Sequence, residues 1–170
     1  MRRPYPQSAP RQTIGFPVWL PGHAQAVALN HRFFAHTPED VYRVLSEPEL
    51  YDRWVVGAAH SERIDDEWPR PGSTLRHQQG VGPFRITDVT TVCEADPPTR
   101  MVLEAQVRPF LTARVTLTLR SVKGGTVVFM DEQIVRGPLR HAGRLADPVL
   151  LRRNAKTLER LDRLTADHAR

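Results

Sequence analysis

Three side chains in this sequence could between them move protons: His77, Asp88 and Glu132. Each sits in a run that alternates apolar and polar residues, the period-two pattern of a half-buried strand. The runs are Thr74–Gln79, Phe84–Glu94 and Gly125–Val135. A carboxylate turned inward among Leu, Val and Met acquires a raised pKa unless a cation meets it. A histidine beside an aspartate is held in one tautomer and made more basic. Together the three amount to an acid–base set in an apolar cavity, as proton-transfer chemistry requires. The plainer alternative is that Asp88 only fixes His77, while Glu132 pairs with an arginine such as Arg76, Arg114 or Arg136.

Hairpin arithmetic decides which way these side chains face. Lys123-Gly124 reads as a tight turn. If it is a two-residue loop, Leu119 faces Val128, Leu117 faces Met130 and Val115 faces Glu132. A two-residue turn at Val81-Gly82 sets His77 opposite Ile86 and Leu75 opposite Asp88, so that His77 and Asp88 are diagonal neighbours. The inward face of that hairpin is then Leu75, His77, Phe84, Ile86, Asp88, Thr90 and Val92. A one-residue slip would invert it.

Other residues carry weaker chemistry. Trp54 and Trp68 are aromatic walls for a planar ligand or anchors of the core. His60, in the small-residue stretch GAAHS, faces either the cavity or solvent. A metal site of His60, His77 and Glu132 lacks any HxH or HExxH spacing, so no metal is expected. The one cysteine, Cys93, excludes an internal disulfide and a multi-cysteine metal site, and lacks a base partner. Gly80, Gly82, Gly124 and Gly125 are turn glycines without a phosphate-cradling pattern. No cofactor is expected.

The elements that must hold these residues follow from periodicity and turn chemistry. At the end of the chain Asp147-Pro148 is a helix start. Leu151, Ala155, Leu158, Leu161 and Leu164 then form an apolar stripe, with Arg152, Arg153, Lys156, Glu159, Arg160, Asp162 and Arg163 mostly outside it. An isolated helix of this length is marginal, so the stripe must lie on something. Earlier, a strand over 26–36 precedes Thr37-Pro38-Glu39-Asp40, a capped helix start, and a second short helix runs through Trp54. Strands over 55–64, 74–79, 84–94, 100–108, 112–121 and 125–135 follow, separated by Asp, Pro and Gly clusters. The order is that of an α+β domain with a meandering antiparallel sheet.

Composition bounds the function classes. The chain has 170 residues, 40% of them hydrophobic, enough for one domain with a real core. No apolar run approaches a membrane span, and MRRPYPQSAPRQ has no apolar continuation of a signal peptide. The net charge of +5 is uneven: residues 1–26 carry +3, 27–135 carry −3 and 136–170 carry +5. A nucleic-acid binder would show a basic patch with a reading element, and none is visible. Of 24 basic residues 22 are arginine, read as coding bias rather than phosphate recognition. Residues 1–26 hold five prolines and no periodicity, the pattern of an extended or disordered arm. Ile14, Phe16, Val18, Trp19 and Leu20 could lie on the domain surface.

Several stretches together carry a family resemblance. They are the strand and Thr-Pro-Glu-Asp-Val-Tyr helix start over 33–42, EPELYDRWV (47–55), WPRPGSTL (68–75), EADPPTRMVLEA (94–105), GTVVFMDE (125–132) and RRNAKTLERLDRL (152–164). In this order and spacing the chain resembles the SRPBCC superfamily, also called START-like or polyketide cyclase/dehydrase-like, over residues 27–168. The run WVVGAAHSERID…WPRPGSTLRH looks most like uncharacterised actinobacterial members.

The resemblance implies a helix-grip fold: a curved antiparallel sheet of about seven strands wrapped around the C-terminal helix, with two short helices after the first strand. It also implies an apolar cavity of ordinary ligand size, about 300–1,000 Å³. The leading expectation is a binding protein for a lipid, polyketide or isoprenoid. Leu75, Ile86, Leu103, Leu117, Met130, Leu151 and Leu158, with Phe84, Trp54, Trp68 and His60, supply contact area, and His77, Asp88 and Glu132 supply orientation. A polyketide cyclase or dehydratase using His77, Asp88 and Glu132 is the second, resting on resemblance alone. The third is an interaction module using the basic helix face or the arm. A cytosolic setting and the absence of a nucleic-acid partner are expected, and a homodimer stays open.

Overall fold

Seven strands pair into one antiparallel sheet around a long helix in the computed structural model, which describes residues 27–81, 84–107, 109, 111–138 and 147–169. The proline-rich arm of residues 1–26 lies outside the described residues. In chain order the elements are β1 (Val27–Phe34), α1 (Pro38–Leu45), a 3₁₀ turn (Pro48–Leu50), α2 (Tyr51–Trp54), β2 (Ala58–Arg63) and β3 (Thr74–Val81). Then come β4 (Phe84–Asp96), β5 (Arg100–Val107), β6 (Leu111–Val122), β7 (Gly125–Arg136) and α3 (Asp147–His168). Across the sheet the order is β1-β7-β6-β5-β4-β3-β2, a meander whose first strand returns beside the last. This is the α+β helix-grip architecture.

Local chemistry accounts for most boundaries. Thr37 caps α1: its hydroxyl oxygen accepts the Asp40 N–H at 3.2 Å, and the Asp40 carboxylate receives the Thr37 N–H at 3.4 Å. Pro38 occupies the first turn, where its missing N–H costs nothing. Lys123-Gly124 is a two-residue loop with Gly124 at φ +86°, which glycine adopts without strain. The pairs Leu119–Val128, Leu117–Met130 and Val115–Glu132 form as expected. Their inward side chains meet Leu158, Leu161 and Leu164 of α3 and Val41, Val44 and Leu45 of α1 in one core.

Gly125 is needed for a different reason. A Cβ there would overlap the Phe34 carbonyl oxygen and press on the Phe33 ring, where β7 begins against the end of β1. Gly125→Ala should therefore cost about 1–3 kcal/mol, seen as a lower urea midpoint. An unchanged midpoint would mean that β1 can shift at no cost.

Three expectations are corrected. The β3–β4 register lies two residues further on than a Val81-Gly82 turn gives: Val81 faces Phe84, His77 faces Asp88 and Leu75 faces Thr90. A shift of two preserves parity, so Leu75, His77, Asp88, Thr90 and Val92 still share the buried face. His77 and Asp88 are thus directly opposite rather than diagonal. The strand expected over 55–64 is only Ala58–Arg63, because Val55 closes α2 and Gly57, at φ +100°, turns the chain.

The third correction concerns α3. Its buried face is Asn154, Thr157, Leu158, Leu161, Leu164 and Thr165, whereas Ala155 is exposed and Leu151 is 39% exposed. Polar residues share the inner face with the leucines, each with a bond. The Thr157 hydroxyl oxygen accepts the Val56 N–H at 3.2 Å, the Thr165 hydroxyl donates to the Leu161 carbonyl at 2.8 Å, and the Asn154 carbonyl oxygen accepts from Arg153. Among the described residues no helix is long and apolar enough to cross a membrane.

Candidate functional site

Between the sheet and the first turns of α3 lies a cavity of about 170 Å³. Its walls are the small and apolar residues Leu103, Ala105, Ala113 and Met130 of β5–β7 and the rings of Tyr51 and Trp54 from α2. It is smaller than expected because the bulky side chains of Tyr51, Trp54, Leu103 and Met130 are themselves packed beneath the sheet.

The charged pair of this cavity is Glu132 and Arg153. Glu132 is 2% exposed, and both its carboxylate oxygens lie 2.6 Å from one guanidinium nitrogen, Nη2 of Arg153. Arg153 also donates to the Asn154 side-chain oxygen from Nε at 3.3 Å and Nη2 at 3.2 Å, and remains 33% exposed. A buried carboxylate with a bonded arginine is neutralised where it stands. The pairing expected with Arg76, Arg114 or Arg136 is corrected: Arg76 pairs with Glu62, Arg114 with Glu104, and Arg136 is exposed. A sequence signal for Arg153 did exist. Arg153, Asn154 and Thr157 are polar at helical spacing next to the first leucines, which a leucine-only count of α3 passes over.

His77 and Asp88 occupy a separate position. Both are 1% exposed and lie opposite each other on β3 and β4, and neither lines the cavity. Tyr51 stands between: it lines the cavity, its ring centroid is 5.3 Å from that of His77, and its hydroxyl is 3.0 Å from the Thr90 hydroxyl. Trp54 meets Tyr51 edge-on at 5.3 Å. The expected acid–base set is therefore divided, with Glu132 at the cavity and His77–Asp88 behind an aromatic wall. Tyr51 is the functional-site residue that strand parity could not reveal, since it comes from a four-residue helix.

Burial also reverses the expected basicity of His77. Desolvation holds its pKa below the ordinary histidine value, and the nearby Asp88 only partly offsets this. The unfolded chain then binds more protons below about pH 6.5, so stability contributed by neutral His77 is present above that pH and is lost as pH falls. Between pH 7 and pH 5, unfolding free energy should fall more steeply for the wild type than for His77→Gln. Parallel slopes would assign the acid sensitivity elsewhere.

The remaining expected residues are dispersed. Trp54, Leu103 and Met130 line the cavity with Glu132. Leu75, Leu117, Leu158 and Trp68 are buried in the core outside its lining, and Ile86 is half-buried. Phe84 lies on β4, with its side chain outside the described residues. His60 is exposed at φ 50° where a bulge interrupts β2, and Leu150 takes the lining position expected of Leu151. Among the described residues no group of three or more His, Cys, Asp or Glu is placed to hold a metal.

A curved sheet closed by a long helix over an internal cavity defines the helix-grip class of ligand-binding domain. The chain belongs to the polyketide cyclase / dehydrase and lipid transport family, whose model matches residues 30–166, in keeping with the SRPBCC resemblance. A solved structure from Rhodobacter sphaeroides is 25% identical, with a TM-score of 0.66 over 86% of this chain and 95% of that one. One from Mesorhizobium loti is 20% identical, with a TM-score of 0.64 over 83% and 97%. Ara h 8.0201 is 11% identical, with a TM-score of 0.64 over 84% and 99%. The last two likenesses concern the fold alone. No curated protein sequence matches the chain.

Proposed function

We propose that this protein binds a small hydrophobic molecule in the cavity between the sheet and α3. The observation that carries this reading is an apolar cavity whose buried carboxylate, Glu132, is compensated by Arg153 through Nη2. Such a site takes an apolar body and offers it one polar edge. Lipid and polyketide fragments are the ligand chemistries that the family description suggests.

Cyclase or dehydratase chemistry is supported less well. It would need His77–Asp88 to reach a ligand from behind Tyr51, and Glu132 to act as a base while both its oxygens are bonded. The basic face of α3 is likewise weakened as a docking surface. Lys156 and Arg163 both pair with Glu159. The single cysteine suits a reducing compartment such as the cytosol.

Native mass spectrometry of the purified protein tests the reading. The expected result is a near-stoichiometric mass excess that disappears on denaturation and releases an apolar compound. A protein that emerges empty and takes up no apolar compound from a mixed-ligand screen would overturn it.

A further inference from the structure

Resting on that reading, we infer that the cavity takes a compact, single-ring-sized acid, not a long-chain lipid or a multi-ring polyketide, and that Arg153 meets its carboxylate. Size comes first. The cavity measures about 170 Å³. A cavity of about 150 Å³ holds one benzene, and pockets for drug-sized ligands begin near 300 Å³. A fused-ring polyketide or a sixteen-carbon chain therefore does not fit without displacing Tyr51, Trp54 or Met130, all of which are packed in the core.

Shape agrees with size. Ala105 and Ala113 face each other across β5 and β6, and both line the cavity beside the Tyr51 and Trp54 rings. Two methyl side chains and two aromatic rings give the cavity an apolar lining that suits a small ring.

The polar end of the ligand follows from which groups are already used. Both Glu132 oxygens are bonded to Arg153, so the carboxylate has little left to offer a ligand donor. Arg153 lines the cavity and is bonded through Nε and Nη2, while Nη1 takes part in none of these bonds, and a third of the side chain is exposed. A guanidinium edge held in place by a buried carboxylate is a prepared donor for an acceptor oxygen. A carboxylate on a small apolar ring satisfies each of these conditions.

The test uses the full chain and three probes in calorimetric or NMR titrations: 4-methylbenzoate, toluene and palmitate. The expected result is binding of 4-methylbenzoate at least fivefold tighter than toluene, with palmitate excluded. In the paired variant Glu132→Gln/Arg153→Gln, which leaves no buried charge unpartnered, that fivefold preference should vanish while toluene binding persists. Preferred binding of palmitate would overturn the inference and keep the cavity reading. An unchanged preference in the paired variant would overturn the role of Arg153. Failure of all three probes to bind would overturn the cavity reading itself.

Discussion

Arg153→Met is expected to destabilise the domain by about 3 kcal/mol, the low end of the range for removing one partner of a buried ion pair. The cost arises at the residue that remains. Glu132 is 2% exposed, and its two oxygens share a single bonding nitrogen, so removal of Arg153 leaves a buried carboxylate without its cation. The low end applies because Arg153 is one-third exposed and water can reach the vacated position. A Glu132→Gln/Arg153→Met variant removes the pair together and should recover most of the loss, because a neutral amide is far cheaper to bury. Urea unfolding of the wild type, both single variants and the double variant gives the coupling directly. A loss below about 1 kcal/mol for Arg153→Met would place this pair with ordinary surface ion pairs.

Ala105→Phe should cut affinity for an apolar probe by at least a hundredfold while leaving the fold intact. Ala105 is half-buried on β5, lines the cavity and lies opposite Ala113, so a benzyl group there grows into empty space rather than into packed core. Filling a void avoids the strain of overpacking, so the midpoint of thermal unfolding should stay within a few degrees of the wild type. The measurement pairs a melting curve with a titration of toluene. Wild-type affinity in a folded Ala105→Phe protein would show that ligands bind elsewhere. A collapsed melting temperature would instead show that the cavity is too tight to accept the ring.

Those two residues also mark the limits of reading along the chain. Strand periodicity, the Thr37 cap and the Lys123-Gly124 turn are written in neighbouring residues, so β6–β7 and α1 were legible with their partners. Glu132 was legible as inward-facing for the same reason: in a strand every second side chain points the same way. The shifted β3–β4 turn still left Leu75, His77, Asp88, Thr90 and Val92 on the buried face, because a two-residue shift does not change parity.

What was not legible depends on partners distant in sequence. The inward turn of Thr157 on α3 goes with its bond to the Val56 N–H, 101 residues away. The partner of Glu132 had to be chosen among 22 arginines, and the polar spacing of Arg153, Asn154 and Thr157 marks a polar edge of α3 without saying that Arg153 reaches Glu132. Nor does any periodicity place Tyr51, from a single helical turn, between His77 and the cavity. The sequence by itself determined an α+β meander and which strand faces look inward, since both rest on period-two and capping signals within a few residues, while the helix-grip closure was implied by the family resemblance. Only the tertiary structure decided that Glu132 is neutralised by Arg153, that His77–Asp88 is walled off, and that the cavity is small. Each of these is set by side chains meeting across the core, where packing and charge compensation, not chain neighbours, select the arrangement.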